Sequence, residues 1–282
     1  MRIMPLDGKL SLTNDGTLEL FFIGVGTAFA KVLYQNNFLL VKGDTHILVD
    51  FGMTGPVALR TVAGLDVTDI NTVLPTHSHA DHIGGMECLA LMNRYVGTKF
   101  MNKPKLKMIV NKEYERVLWD ASLRGGLEWN EYSSDGGALR FEDYFEVARP
   151  TLKTTTPREI WEIDYNGIHL ELFRTNHVPD LSPDARHAFI SYGLYVDQRI
   201  FISGDTKFDP YLIDMYADIS EYMFHDCSFI PSPVHASLAE LNTLPDDIKK
   251  KTYLMHYPDT WENQAVPGLG GYAKQGWRYI FD

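Results

Sequence analysis

A chain of 282 residues, 45% hydrophobic and 22% charged, is long enough to bury one large core or two small ones, and it contains no run of the roughly 18 to 20 apolar residues that a membrane helix needs. Its 26 Lys and Arg against 37 Asp and Glu leave a net charge of −11, which argues against a protein built to grip long DNA or RNA and for a small substrate. Met1 to Gly8 lacks the apolar core and cleavage site of a secretory signal, and two cysteines, Cys88 and Cys227, are too few for a disulfide framework and read as free thiols of a cytoplasmic protein.

In chain order the first elements read as strands. Leu18 to Ile23 runs into a glycine turn at Gly24 and Gly26, and Asn37 to Val41 and His46 to Asp50 flank a hairpin turn at Gly43-Asp44. Thr72 to Pro75 is a short apolar strand that ends in a histidine-rich loop. Helical spacing follows over Met86 to Tyr95 and over Lys112 to Ser122. Residues 123–158 lose that regularity and read as an irregular insertion in a single domain spanning 1–282. Strands resume at Ile168 to Arg174, Ala188 to Val196 and Arg199 to Ser203, followed by a helix over Pro210 to Ala217 and a strand at Tyr222 to Phe224. A helix over His235 to Leu241 and a strand at Thr252 to Met255 complete the pattern, and the tail from Trp261 to Asp282 is apolar enough to pack on the domain or a partner. Without steady βαβ alternation, the chain is α+β rather than a doubly wound parallel sheet.

The chemistry concentrates in Thr76-His77-Ser78-His79-Ala80-Asp81-His82. After a strand, His77 and His79 at i and i+2 point the same way and can meet one cation, while Asp81 and His82 in the next turn can face a second. Imidazole nitrogen and carboxylate oxygen suit zinc first, and also accept manganese or iron. One loop cannot complete two sites, so further donors are sought at strand ends: His177, Asp205 and His256 each follow an apolar run. His46 and His169 lie inside strands and read as surface or satisfied core residues.

The segments H-S-H-A-D-H, T-N-H-V-P, S-G-D-T and L-M-H-Y, preceded by Leu48-Val49-Asp50-Phe51-Gly52, stand in the order found in metallo-β-lactamase superfamily hydrolases, and the resemblance spans about residues 18–258. It implies an αββα sandwich of two mixed β-sheets flanked by helices. It further implies His77, His79 and His177 on one metal, Asp81, His82 and His256 on the other, Asp205 bridging them, and Asp50 orienting a ligand from behind. Within the superfamily the chain most resembles the ribonuclease Z and cyclic-nucleotide phosphodiesterase branch, through Ser191 to Val196, Phe224 to Phe229 and Val234-His235-Ala236-Ser237. In that branch a histidine placed like His235 protonates the leaving oxygen, and His225 would not be a ligand. Asp226 stands where the branch has Glu, and Asp226 and Ser237 are expected to support His235 through hydrogen bonds. The 123–158 segment carries Glu128, Glu131, Asp135, Glu142 and Asp143, an acidic set that repels RNA.

The resemblance therefore points to a metal-dependent hydrolase of a small phosphodiester or cyclic nucleotide. Two divalent cations would turn a bridging water into hydroxide near neutral pH, with Asp81 orienting it or taking its proton and His235 as general acid. Arg186 and His187, in the loop after His177, are candidates to contact the substrate's phosphate. Lactone, thioester or β-lactam hydrolysis on the same site, which would not need His235, is the alternative enzymatic reading, and a non-hydrolytic diiron binding protein is the third. Homodimers are common in the branch that the chain resembles.

Overall fold

The computed structural model describes all 282 residues, in two compact units: Met1–Gly24, Asn37–Pro150 and Gln275–Asp282 form unit 1, and Val25–Asn36 with Thr151–Lys274 form unit 2. Unit 1 opens with β1 (Arg2–Pro5), β2 (Leu18–Gly24), β3 (Asn37–Lys42) and β4 (Thr45–Val49). These are followed by β5 (Thr72–Leu74), β6 (Leu106–Ile109) and β7 (Phe145–Ala148). β2 to β4 pair antiparallel, and β4 to β7 pair parallel. All seven residues of β2 are buried, which explains why this strand is apolar on both faces except at Glu19 and does not alternate. The helices of the unit are α1 (Gly55–Ala63), α2 (Ala80–Ile83), α3 (Met86–Leu91), α4 (Lys112–Leu118), α5 (Arg124–Leu127) and α6 (Phe141–Tyr144).

Unit 2 supplies β8 (Thr151–Thr154), β9 (Ile160–Tyr165), β10 (Ile168–Arg174), β11 (Tyr192–Val196) and β12 (Ile200–Ile202). β13 (Tyr222–Asp226), β14 (Thr252–Met255) and β15 (Gly271–Tyr272) follow, with helices α7 (Pro210–Tyr216), α8 (Leu238–Leu241) and α9 (Asp246–Lys251). Its sheet is antiparallel from β8 to β12 and parallel from β12 to β15. The final strand, β16 (Trp277–Phe281), returns to the sheet of unit 1 and lies between β1 and β2, where Arg278 pairs with the buried Glu19 at 2.7 Å. Each unit thus holds an eight-stranded mixed sheet with flanking helices, the α+β architecture expected.

Several boundaries differ from expectation. The Met86 helix ends at Leu91 and continues as a π-helical stretch over Met92–Thr98, and the Lys112 helix passes into another over Trp119–Leu123. The 123–158 segment is not uniformly irregular: it contains α5, α6, β7 and β8, and its longest stretch without regular elements is residues 128–140. The strand expected from Ala188 starts at Tyr192, and the helix expected from His235 starts at Leu238. Cys88 and Cys227 are free thiols, and no helix is long and apolar enough to cross a membrane.

Candidate metal centre

In unit 1, β4 and β5 are parallel neighbours, so the residues that follow them emerge at the same sheet edge. Asp50 follows β4 at φ 60°, a left-handed turn that aspartate tolerates better than most residues. Its carboxylate accepts from the Thr76 N–H (2.7 Å) and the Thr76 hydroxyl (2.8 Å), and lies 2.7 Å from His82 Nδ1. That network fixes which face of the His82 ring is presented: with Nδ1–H held by Asp50, Nε2 keeps its lone pair for a cation. Burial pushes the Asp50 pKa up, against the opposing pull of His82 and Thr76.

The loop after β5 then turns sharply. His79 occupies the N-cap position of α2, and this single turn delivers Asp81 and His82, both buried, with His82 Nε2 3.3 Å from Asp81 Oδ2. The His77 ring centre lies 4.6 Å from that of His79 and 4.1 Å from that of His82. Two backbone bonds lock the turn to the strand behind it, Phe51 N–H to the His82 carbonyl (2.7 Å) and Gly85 N–H to the Phe51 carbonyl (2.8 Å). Gly85 is needed there, because a Cβ would stand 2.5 Å from the Gly52 carbonyl oxygen. Asn37, which the sequence did not single out, bridges both loops: its amide donates to the Asp81 carbonyl (3.3 Å) and accepts from Gly52 N–H (2.8 Å).

Unit 2 assembles its donors differently. β10 runs antiparallel to β11, and β11 antiparallel to β12, so β10 points the same way as the parallel set β12, β13 and β14. Their C-terminal ends share one edge, and there stand His177, Asp205, Asp226 and His256. Gly204, at φ 60°, makes the turn into Asp205 where a Cβ would stand 2.4 Å from the Tyr192 carbonyl oxygen. Asp205 Oδ2 is 3.4 Å from His256 Nε2 and 3.8 Å from His177 Nε2.

His177 Nδ1 lies 2.8 Å from the Val234 carbonyl, an acceptor only, so Nδ1 carries the proton and Nε2 the lone pair that faces Asp205. Burial lowers the His177 pKa to about 4, so the imidazole is neutral near pH 7, the state a metal ligand needs. Apart from the half-buried His79, the donors in each unit are buried imidazoles and carboxylates, with the tautomer fixed at His82 and at His177, and these groups suit divalent cations.

His235 is set apart from these. Its Nδ1 lies 2.8 Å from Asp226 Oδ2 and 3.9 Å from Asp205 Oδ2, and its side chain is 24% exposed, whereas Asp226 is fully buried. Burial works against an imidazolium here, but Asp226, followed by Asp205, outweighs it and raises the His235 pKa above the ordinary histidine value. Asp226 also accepts from Thr206 N–H (3.1 Å) and lies 3.3 Å from His256 Nδ1, so one carboxylate holds two imidazoles.

The remaining expectations divide. Ser237 does not support His235: its hydroxyl donates to Glu240 Oε2 (2.6 Å) and accepts from Glu240 N–H, the capping box of α8. His225 is buried with Nδ1 donating to the Asp226 carbonyl (2.8 Å), away from the donor set. His46 is buried and accepts from Asn71 N–H (3.1 Å), while His169 holds Asp164 at 2.7 Å on β10. Arg186 and His187 are exposed, and their side chains bind Asp184 (2.8 and 2.9 Å).

Comparison with known proteins agrees with this architecture. The family model described as "Anti-Pycsar protein Apyc1" matches residues 18–279. A relative from Bacillus phage BSP38, "Anti-Pycsar protein Apyc1", is 35% identical over 271 residues, covering 94% of this chain and 98% of the relative. Among solved structures, the metallo-β-lactamase fold protein YhfI from Bacillus subtilis superposes with a TM-score of 0.66 at 14% identity, covering 94% of this chain and 100% of that one. The short form of human tRNase Z gives 0.57 at 15% identity over 86% of this chain and 94% of that one. Both share the fold. The chain belongs to the family described as Anti-Pycsar protein Apyc1, and its fold is that of the metallo-β-lactamase superfamily.

Proposed function

We propose that the protein is a metal-dependent phosphodiesterase that opens the phosphodiester ring of a cyclic nucleotide. The observation that carries this reading is His235 held at Nδ1 by the buried Asp226 carboxylate, 2.8 Å away. That bond stabilises the imidazolium and leaves Nε2–H as the proton donor. Ring opening needs such a donor, because the leaving group is a ribose alkoxide. The motif resemblance to the cyclic-nucleotide phosphodiesterase branch, carried by Ser191 to Val196, Phe224 to Phe229 and Val234 to Ser237, supports the substrate class.

In this proposal His77, His79 and His177 hold one divalent cation, Asp81, His82 and His256 hold the second, and Asp205 is shared, with zinc the first candidate for both. When bound, such cations acidify water and neutralise phosphoryl charge. The chain's own groups do the rest. Asp81 takes the proton of the attacking water as its oxygen bonds to phosphorus. His235 Nε2 passes its proton to the ribose oxygen as that P–O bond breaks. Asp226 keeps the charged form of His235 in place, and Asp50 keeps His82 in its ligand tautomer. Arg186 and His187, exposed and paired with Asp184, remain candidates to contact the substrate's phosphate.

The test is hydrolysis of cyclic nucleotides by wild type and His235→Ala, with the metal content of both measured by mass spectrometry. Turnover should fall at least about a hundredfold in the variant with metal content unchanged. A wild type that carries metal but leaves every cyclic nucleotide intact, while opening a lactone at a rate indifferent to His235, would overturn the proposal.

A further inference from the structure

Unit 2 contains a cavity of about 540 Å³ whose lining includes none of the side chains assigned to the metal centre. This volume is typical of sites for small organic ligands. Two of its wall residues are buried arginines, Arg158 (6% exposed) and Arg174 (7% exposed), and their circumstances differ. Arg158 pairs with Asp209 and donates to the Arg174 carbonyl. Arg174 has no carboxylate partner. Its guanidinium donates to the carbonyls of Ala185 (3.3 Å) and Ala188 (2.8 Å), stands 5.8 Å over the Tyr192 ring, and leaves Nε without a hydrogen-bond partner.

The acids of the wall are already engaged. Asp209 holds Arg158 and caps α7, Asp184 holds Arg186 and His187, and Glu159 Oε1 accepts from Trp161 Nε1 (2.7 Å) and the Tyr192 hydroxyl (3.1 Å). A buried cation with no counter-ion is costly, and the usual remedy is an anion. Asn176, also in the wall, has its Oδ1 buried without a partner, which provides an acceptor. Phe208 and the half-exposed Tyr211, with three prolines, supply flat apolar surface around these polar groups.

We propose that this cavity binds a small aromatic oxyanion, a carboxylate or phosphate monoester carried on a flat ring. Arg174 takes the anionic group, Asn176 Oδ1 accepts from a donor on the ring, and Phe208 and Tyr211 cover the ring faces. The site is separate from the reaction centre but shares a stretch of chain with it. Arg174 and Asn176 line the cavity, whereas Thr175 donates to the Asp205 carbonyl (2.8 Å) and His177 faces the Asp205 carboxylate.

Calorimetric titration of the full-length, metal-loaded protein with benzoate and with phenyl phosphate tests this, with inorganic phosphate as the ring-free control. One aromatic oxyanion should bind with 1:1 stoichiometry and the control at least about tenfold more weakly. The tighter of the two probes identifies the anionic group. Arg174→Met should weaken binding by about tenfold or more. Tyr211→Ala, at an exposed position that leaves the core intact, should weaken it severalfold and decides the matter if Arg174→Met does not fold. His77→Ala/His79→Ala should bind the probe as wild type does. Absence of binding, binding indifferent to both cavity variants, or binding lost in the His77/His79 variant would each overturn the proposal. None of these outcomes depends on whether cyclic nucleotides are hydrolysed.

Discussion

The two clusters of candidate ligands are built on opposite plans. Unit 1 places four donors within six consecutive residues, from His77 to His82, and one turn of helix orients them. Unit 2 draws His177, Asp205 and His256 from strand ends separated by 28 and 51 residues, and only the shared direction of β10, β12 and β14 brings them to one edge. The first cluster is a local property of the chain and the second a property of sheet topology. Each also has its own carboxylate holding imidazoles in place, Asp50 in unit 1 and Asp226 in unit 2. The duties of these carboxylates differ: Asp50 fixes one ligand candidate, whereas Asp226 holds both a ligand candidate and His235, the proposed proton donor.

That difference can be broken experimentally. Beyond the hundredfold loss expected in His235→Ala, the largest effect should come from Asp50→Asn, which leaves the shape of the site but loses the charged partner of His82 Nδ1. Metal affinity, measured by chelator competition, should fall about ten- to a hundredfold. An unchanged affinity would mean that the unit 1 turn orients His82 without help.

A second measurement asks whether unit 1 has an acid sensitivity of its own. Burial depresses the His46 pKa to about 4, from an ordinary value of 6.5. The folded state therefore keeps the ring neutral where the unfolded chain would protonate it. This contribution is fully present above pH 6.5 and is lost as the pH falls towards 4. Between pH 7 and pH 5 the loss amounts to about 2 kcal/mol by linkage. Urea unfolding should show that much more destabilisation in wild type than in His46→Gln, and equal pH dependence in the two would remove His46 from the account.

Asp226→Asn should lower turnover by about tenfold at matched metal content. Its sharper signature is in the pH profile. Removing the carboxylate that raises the His235 pKa should move the alkaline limb to lower pH, because the acid form is then lost sooner. A profile that does not move would assign Asp226 to His256 alone. The smallest effect belongs to Ser237→Ala, which removes the α8 cap at a cost of about 1 kcal/mol and should leave turnover unchanged. A loss of activity beyond that of stability would return Ser237 to the support of His235.

The same contrast explains what the sequence made legible. The H-x-H-x-D-H run can be read directly, because spacing along a strand and one turn determines where its side chains go. His177, Asp205 and His256 were identifiable only as polar residues at the ends of apolar runs, and their assignment leaned on the order of motifs. Asn37 gave no signal: an asparagine opening a strand is ordinary until the fold brings Asp81 and Gly52 to its amide. Ser237 was misread for the same reason, since its hydroxyl bonds locally to Glu240 and a cap looks like a support when only adjacency is known. The π-helical continuations after Leu91 and Leu118 escaped because apolar periodicity does not report a change of hydrogen-bond register. Among the strands, β9 is half-buried along most of its length and β15 spans only two residues, so neither presented a clear pattern.

The parallel alignment of β12, β13 and β14 has one further consequence. Each residue along a strand advances about 3.3 Å and reverses the side-chain direction, so a one-residue slip would both displace a donor and turn it to the wrong face. Backbone pairing and gross secondary structure would survive such a slip almost unchanged. A circular dichroism spectrum would miss the error, whereas a metal titration would detect it as a lost donor. The donor set of unit 2 therefore serves as a gauge of strand register, and recovered metal affinity is a stricter criterion of correct refolding than recovered secondary structure.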